Sequence, residues 1–153
     1  MSNFLLKTEP TEYSIDDLKR EKVTSWFGVR NYQARNIIRD DMKVGDVCVI
    51  YHSSCAIPSA VGIGKVVKEA YPDKTQFDKN SPYYDKGSSV ENPRWMSVDI
   101  QFIEKFATPI TLTQMRTVDA LSDMRLLVRG NRLSVLPITL THLKKICARA
   151  TGC

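Results

Sequence analysis

Short apolar segments with a strand pattern recur along the whole chain, and each is closed by a turn signal. Phe4-Leu5-Leu6 ends at Glu9-Pro10, where proline steers the preceding residue out of the helical region. Asp46-Val47-Cys48-Val49-Ile50-Tyr51-His52 follows the turn Val44-Gly45-Asp46, and Ala60 to Lys68 follows Pro58. From Met96, the apolar residues Val98, Ile100 and Phe102 alternate with Ser97, Asp99 and Gln101, the period-two pattern of a half-buried strand. Leu133 to Ile138 completes the set. Helical segments fall between these strands. Ser14 to Arg20 opens on a serine with an acid three residues later, which predicts a capping box. Asn31 is placed to cap a second helix through about Asp41, with Ala34, Ile37 and Ile38 on one face. Leu112 to Val118 and Ala120 to Leu127 read as short helical turns, and Thr141 to Arg149 as a closing helix with Leu143, Ile146 and Cys147 inward. About five strands and several short helices in mixed order predict an α+β fold built on a compact, barrel-like sheet.

The chain has 153 residues, the usual size of one domain. It shows no repeat, low-complexity tract or linker, so one domain is expected over residues 1–153. Tyr71 to Pro93 holds three of the seven prolines among scattered Ser, Asn and Asp and is expected to be a long surface excursion. No apolar run approaches the ~20 residues of a membrane span, so no membrane partner is expected. The N-terminal residues Met1 to Lys7 carry no basic region before a long apolar run, which argues against a secretory signal. The four cysteines include no C-x-x-C pair, and His52 and His142 do not fall at finger spacing. Reduced thiols, no metal and no cofactor are therefore expected. Cys48 and Cys147 suit small buried hydrophobes, and Cys153, the last residue, is expected to be disordered.

Charge is unevenly placed. Residues 1–105 carry fifteen Lys and Arg against fifteen Asp and Glu, whereas residues 106–153 carry seven against two. The whole net charge of +5 thus comes from the last third, a local basic surface suited to a polyanion.

The segment richest in binding chemistry is Trp26-Phe27-Gly28-Val29-Arg30-Asn31-Tyr32-Gln33-Ala34-Arg35-Asn36. An aromatic face stacks on a base, amides read base edges, and arginine reaches phosphate. Taken singly, Trp26 reads better as a core residue, Asn31 as a helix cap and Arg35 as part of a solvated helix face; their co-occurrence brings the site reading level with these. Arg129-Gly130-Asn131-Arg132-Leu133-Ser134-Val135 joins a turn to two arginines in the basic third, as a phosphate-gripping loop would. Tyr51-His52-Ser53-Ser54 ends one strand in polar groups, and Lys7-Thr8-Glu9-Pro10 ends another, the kind of strand mouth that meets a ligand. Trp95 reads slightly better as a packing residue than as a pocket wall.

Signals for catalysis fail by comparison. Gly62-Ile63-Gly64 lies within a strand and lacks the third glycine and following helix of a dinucleotide site. No phosphate loop and no deaminase zinc pattern is present. An enzyme is the less expected class.

Taken together, these segments resemble the EVE domain, the domain of the thymocyte nuclear protein family and its bacterial counterparts. Lys43-Val44-Gly45-Asp46 and Asn92-Pro93-Arg94-Trp95 add to the resemblance, which runs from Phe4 to about Ile146. It implies a PUA-like mixed β pseudo-barrel of about five or six strands flanked by short helices. The same fold group includes YTH domains, which hold a methylated adenine in an aromatic cage. It further implies a reader of DNA or RNA that holds one modified base, methylated or hydroxymethylated. Carried onto this sequence, Trp26 is a cage wall and Val29, Arg30 and Asn31 line the floor. Lys7 and Thr8 face the base from the first strand, and His52 and Ser53 from the next. Arg129, Asn131, Arg132 and Ser134 form a basic rim, with Arg35 as a further phosphate contact. Thr8 stands where serine is usual, and Phe27 where polar residues are common, either of which bears on which base fits. A cytoplasmic location, as for a bacterial member, is expected, with a nuclear one if the chain is eukaryotic. Two other readings stay open from the residues alone. One is an enzyme acting on RNA or a nucleotide with His52 as acid or base; the other is a protein-interaction adaptor using the 71–93 excursion.

Overall fold

Phe4, Leu5 and Leu6 are buried at three successive positions of β1 (Asn3–Thr8). Such a run requires a strand covered on both faces and paired on both edges. The computed structural model, which describes residues 1–151, supplies that setting. β1 runs parallel to β3 (Val47–His52), with Thr8 opposite His52, and antiparallel to β6 (Val135–Ile138). β3 pairs with β4 (Ser59–Pro72), β4 with β5 (Met96–Thr111), and β5 with β2 (Val23–Trp26), all antiparallel. One six-stranded sheet results, in the order β2-β5-β4-β3-β1-β6. The expected α+β class holds. The sheet curls without closing, since β2 and β6 stand at its two ends unpaired with each other.

The helices follow their local signals. Ser14 accepts from the Asp17 backbone N–H while Asp17 accepts in return, so α1 (Ile15–Glu21) starts in the expected capping box. Asn31 Oδ1 accepts from the Ala34 N–H at 3.0 Å and starts α2 (Tyr32–Asn36). The helix continues as a π turn over Ile37–Asp41, closed by Met42 N–H donating to Ile37 O at 3.2 Å. That turn keeps Ile37, Ile38 and Met42 buried together. A short α3 (Leu112–Met115) follows β5, and α4 (Leu140–Thr151) packs on β5.

Three features depart from the sequence reading. No strand is expected over Val23 to Ser25: Val23 and Ser25 are exposed, and backbone pairing with β5 holds them extended. β4 and β5 are longer than their apolar cores, because cross-strand hydrogen bonds carry polar residues such as Lys68 and Lys105. The 71–93 excursion is also anchored inside the protein. Asp73 and Gln76 are completely buried, and Gln76 Nε2 donates to Asp73 O at 2.7 Å and Trp95 O at 2.9 Å. Trp95 is buried, with Nε1 donating to Asp85 at 2.8 Å, in line with its packing role. Cys48 is buried in β3, where burial pushes its thiol well above the ordinary range. Cys153 lies outside the described residues. No helix among the described residues is long and apolar enough to cross a membrane.

Candidate functional site

Because β1 and β3 are parallel and in register, their C-terminal ends reach the same edge of the sheet. Lys7 and Thr8 arrive there beside Ser53 and Ser54. β2 arrives from the other end of the curled sheet and delivers Trp26. Between them lies a cavity of about 610 Å³, inside the range of small-molecule sites. Val29 and Arg30 line it from the loop after β2, and Arg132 and Ser134 from the segment before β6. Eight of the thirteen residues singled out from the sequence thus meet at one place: Lys7, Thr8, Trp26, Val29, Arg30, Ser53, Arg132 and Ser134.

The aromatic wall is larger than the sequence reading anticipated. Trp26, only 7% exposed, meets Tyr13 edge-to-face at 6.2 Å between ring centres. Phe27, half exposed, meets Tyr83 in the same manner at 5.9 Å. Tyr13 and Tyr83 both line the cavity. Tyr83 was hidden from sequence reasoning because it sits in the 71–93 excursion, where the Tyr83-Tyr84 pair has no arginine or amide within five residues except Asn80 to mark a site.

A buried polar latch holds this wall. Asp73 accepts from Gly28 N–H at 2.8 Å, Arg30 Nη1 at 2.9 Å, Thr75 N–H at 2.8 Å and Thr75 Oγ1 at 2.6 Å. Burial by itself would raise the Asp73 carboxyl, but the hydrogen bonds from Thr75, Gly28 and Arg30 outweigh it and hold the group below the usual carboxylate range. Arg30 donates to Tyr83 O through Nε at 3.0 Å and Nη2 at 2.7 Å, and its guanidinium lies 5.5 Å from the Tyr83 ring centre. Gly28 adopts φ +83°, and a Cβ there would come within 2.9 Å of the Tyr83 ring. Glycine is therefore required for the close approach of loop and ring.

Lys7 supplies the cation on the cavity floor. It is half-buried and, among the described residues, forms no ion pair; burial lowers its ammonium pKa. Thr8 Oγ1 donates to Tyr13 O at 2.8 Å and so ties the 9–13 turn over the cavity. Glu9 and Glu12 bring two carboxylates to the same space.

The other expected residues stand elsewhere. Asn31 lies outside the cavity because its side chain is taken up in capping α2. His52 turns towards α1, where Nε2 accepts from Ile15 N–H at 3.1 Å. Arg35 stacks on Tyr32 at 5.0 Å and donates to Arg94 O at 2.7 Å. Arg129 and Asn131 line a neighbouring cavity. Asn131 is further committed to its own loop, donating to Arg125 O and accepting from Leu133 N–H at 2.8 Å. Among the described residues, no group of three or more His, Cys, Asp or Glu is gathered closely enough to hold a metal ion.

A mixed aromatic, cationic and carboxylate cavity at strand ends can take a flat, polar ring and an attached anion. Comparison with known proteins bears on that chemistry. Residues 2–149 match the family model described as the EVE domain. Thymocyte nuclear protein 1 of Homo sapiens is 43% identical over 157 residues, covering 90% of this chain and 69% of that protein. The chain spans about two thirds of the length of the curated relatives it matches. Among solved structures, a protein from Pseudomonas syringae aligns with a TM-score of 0.94 at 42% identity, over 97% of this chain and 99% of that one. The human THYN1 protein in complex with 5-methylcytosine-containing DNA aligns with a TM-score of 0.91 at 39% identity, over 98% of each chain. The Mmi1 YTH domain shares the fold alone, with a TM-score of 0.54 at 13% identity over 97% of this chain and 86% of that one.

Proposed function

The chain belongs to the EVE domain family, and on that premise we propose that it is a nucleic-acid-binding module that holds one modified base in the cavity walled by Trp26. The observation that carries this reading is the cavity itself: aromatic rings, two arginines and Lys7, which forms no ion pair among the described residues, line a space roomy enough for a nucleotide. The similar human protein has been solved with 5-methylcytosine-containing DNA, which makes a methylated or hydroxymethylated cytosine the first ligand to try. In this reading Trp26 and Tyr83 enclose the ring, Val29 packs on its edge, and Thr8, Ser53 and Ser134 offer polar contacts. Lys7 and Arg132 meet the phosphate side, with Arg129 further along the strand. Arg30 supports the wall from behind instead of gripping phosphate, since its donors are engaged internally. Asn31, His52, Arg35 and Asn131 act through the fold.

The reading is of a binding module and not of an enzyme. His52, the acid or base an enzymatic reading requires, accepts a backbone hydrogen bond outside the cavity. The polymer is DNA or RNA, and the location follows the nucleic acid: the nucleus for a eukaryotic member, the cytoplasm for a bacterial one. Titration with single-stranded oligonucleotides carrying 5-methylcytosine, 5-hydroxymethylcytosine, N6-methyladenine or no modification tests the proposal. One modified strand should bind more tightly than its unmodified control, and Trp26→Phe should weaken that preference while the protein stays folded. Equal affinity for all four strands would overturn the reading.

A further inference from the structure

A second cavity of about 500 Å³ adjoins the base cavity, and Lys7, Ser53 and Ser54 line both. The two spaces differ in charge. The first mixes Lys7, Arg30 and Arg132 with Glu9 and Glu12, whereas the second holds Lys7, Arg116 and Arg129 and no carboxylate. Arg129, like Lys7, forms no ion pair among the described residues, and the Arg116 guanidinium is held only by a 3.4 Å bond to Leu127 O among them. Cations gathered without counter-charges cost stability through mutual repulsion, and a bound polyanion relieves it. Pro58 and Val128 give the same space an apolar side, which suits the face of a sugar.

We propose that the second cavity is a subsite for the sugar-phosphate of the nucleotide next to the held base, entered on one side of the base only. The proposal rests on the base-holding reading above and assigns it a direction. The linking phosphate lies at the junction, between Lys7 and the Ser53-Ser54 turn, while the neighbouring sugar lies against Val128 with Arg116 and Arg129 at the next phosphate. A strand entering this way is gripped by backbone contacts that carry no sequence information, so the neighbour's identity should matter little.

Three ligands separate the two readings: the free modified nucleoside, and two dinucleotides with the modified base at the 5′ or the 3′ position, each carrying a terminal phosphate on the neighbouring nucleotide. Wild-type protein should bind one dinucleotide several-fold more tightly than the nucleoside and the other no better. Arg116→Gln should abolish that gain, lower the salt slope of longer single strands by about 0.7, and leave nucleoside affinity unchanged. Arg116→Glu should act in the same direction more strongly. If both dinucleotides gain equally, if neither gains, or if Arg116→Gln leaves the gain and the salt slope intact, the subsite is wrong and the base cavity stands. If neither the nucleoside nor any modified strand binds in preference to unmodified controls, the base reading fails and the subsite fails with it.

Discussion

Each of the five N–H groups of Arg30 meets an acceptor inside the protein: Tyr83 O twice, Val29 O, Asp73 and Thr75. Its aromatic and aspartate partners then set the shape of the base cavity from behind. Removing Asp73 leaves Arg30, Gly28 N–H and Thr75 N–H without their shared acceptor; breaking a fully buried pair costs about 3–5 kcal/mol, and Arg30, with 22% of its side chain exposed, puts the cost near the lower end of that range. Asp73→Ala should lower stability by that order in urea unfolding and loosen Tyr83. Because the Asp73 carboxyl is held below its ordinary value, its contribution is complete above about pH 4 and is lost as pH falls through the depressed value. A titration in which Asp73→Ala and wild type lose stability in parallel below pH 4 would contradict this. Gly28→Ala should cost roughly 1–2 kcal/mol from the left-handed backbone alone, and the 2.9 Å approach to Tyr83 adds to it. The sequence reading found Asn31 and Asn131 as polar residues in the right neighbourhoods. Their side chains are nevertheless committed to backbone groups within six residues of themselves, and asparagine before a helix or in a turn prefers such local partners.

Among the elements, the joint between α1 and β3 has the clearest consequence. His52 accepts from Ile15 N–H, the first helical residue, so it must be neutral for the bond to exist. Burial lowers its pKa, and nearby Lys105 acts in the same direction against Asp16. A histidine with a lowered folded pKa gives stability that is complete above about pH 6.5 and falls away as pH drops below it. Wild type should therefore lose thermal stability as pH falls below about 6.5, and His52→Gln should flatten that slope. Gly62 carries a second constraint. A Cβ there would lie 2.4 Å from Glu104 O and 2.6 Å from the Ile15 side chain, where β4 shifts register against β5. Gly62→Ala should cost about 1–3 kcal/mol as overpacking, read as a lower denaturation midpoint. The glycine pair that fails as a dinucleotide motif thus has a packing reason. α1 was legible because its capping box is encoded within four residues. β2 was not, because its extended shape comes from pairing Val23–Trp26 with Val98–Gln101.

At the scale of the molecule, the basic last third sends Arg116, Arg129 and Arg132 to the two joined cavities, where Lys7 of β1 meets them. At about −0.7 per neutralised phosphate on a single strand, three or four such contacts give a slope of roughly −2 to −3 in log affinity against log salt. A slope near zero would mean that the strand is not held through these cations. The sequence alone determined the strands and helices other than β2, the caps of α1 and α2, and the chemistry of the Trp26 and Arg129 segments. Those features depend on neighbours along the chain, where apolar period and side-chain-to-backbone reach act directly. Tertiary structure decided which of these groups meet. The parallel register of β1 and β3 brought Lys7 to Ser53, the latch joined Gly28 to Asp73 across 45 residues, and Arg30 fixed Tyr83 across 53. No local propensity encodes such pairs, because each forms only after the intervening chain has closed and buried both partners.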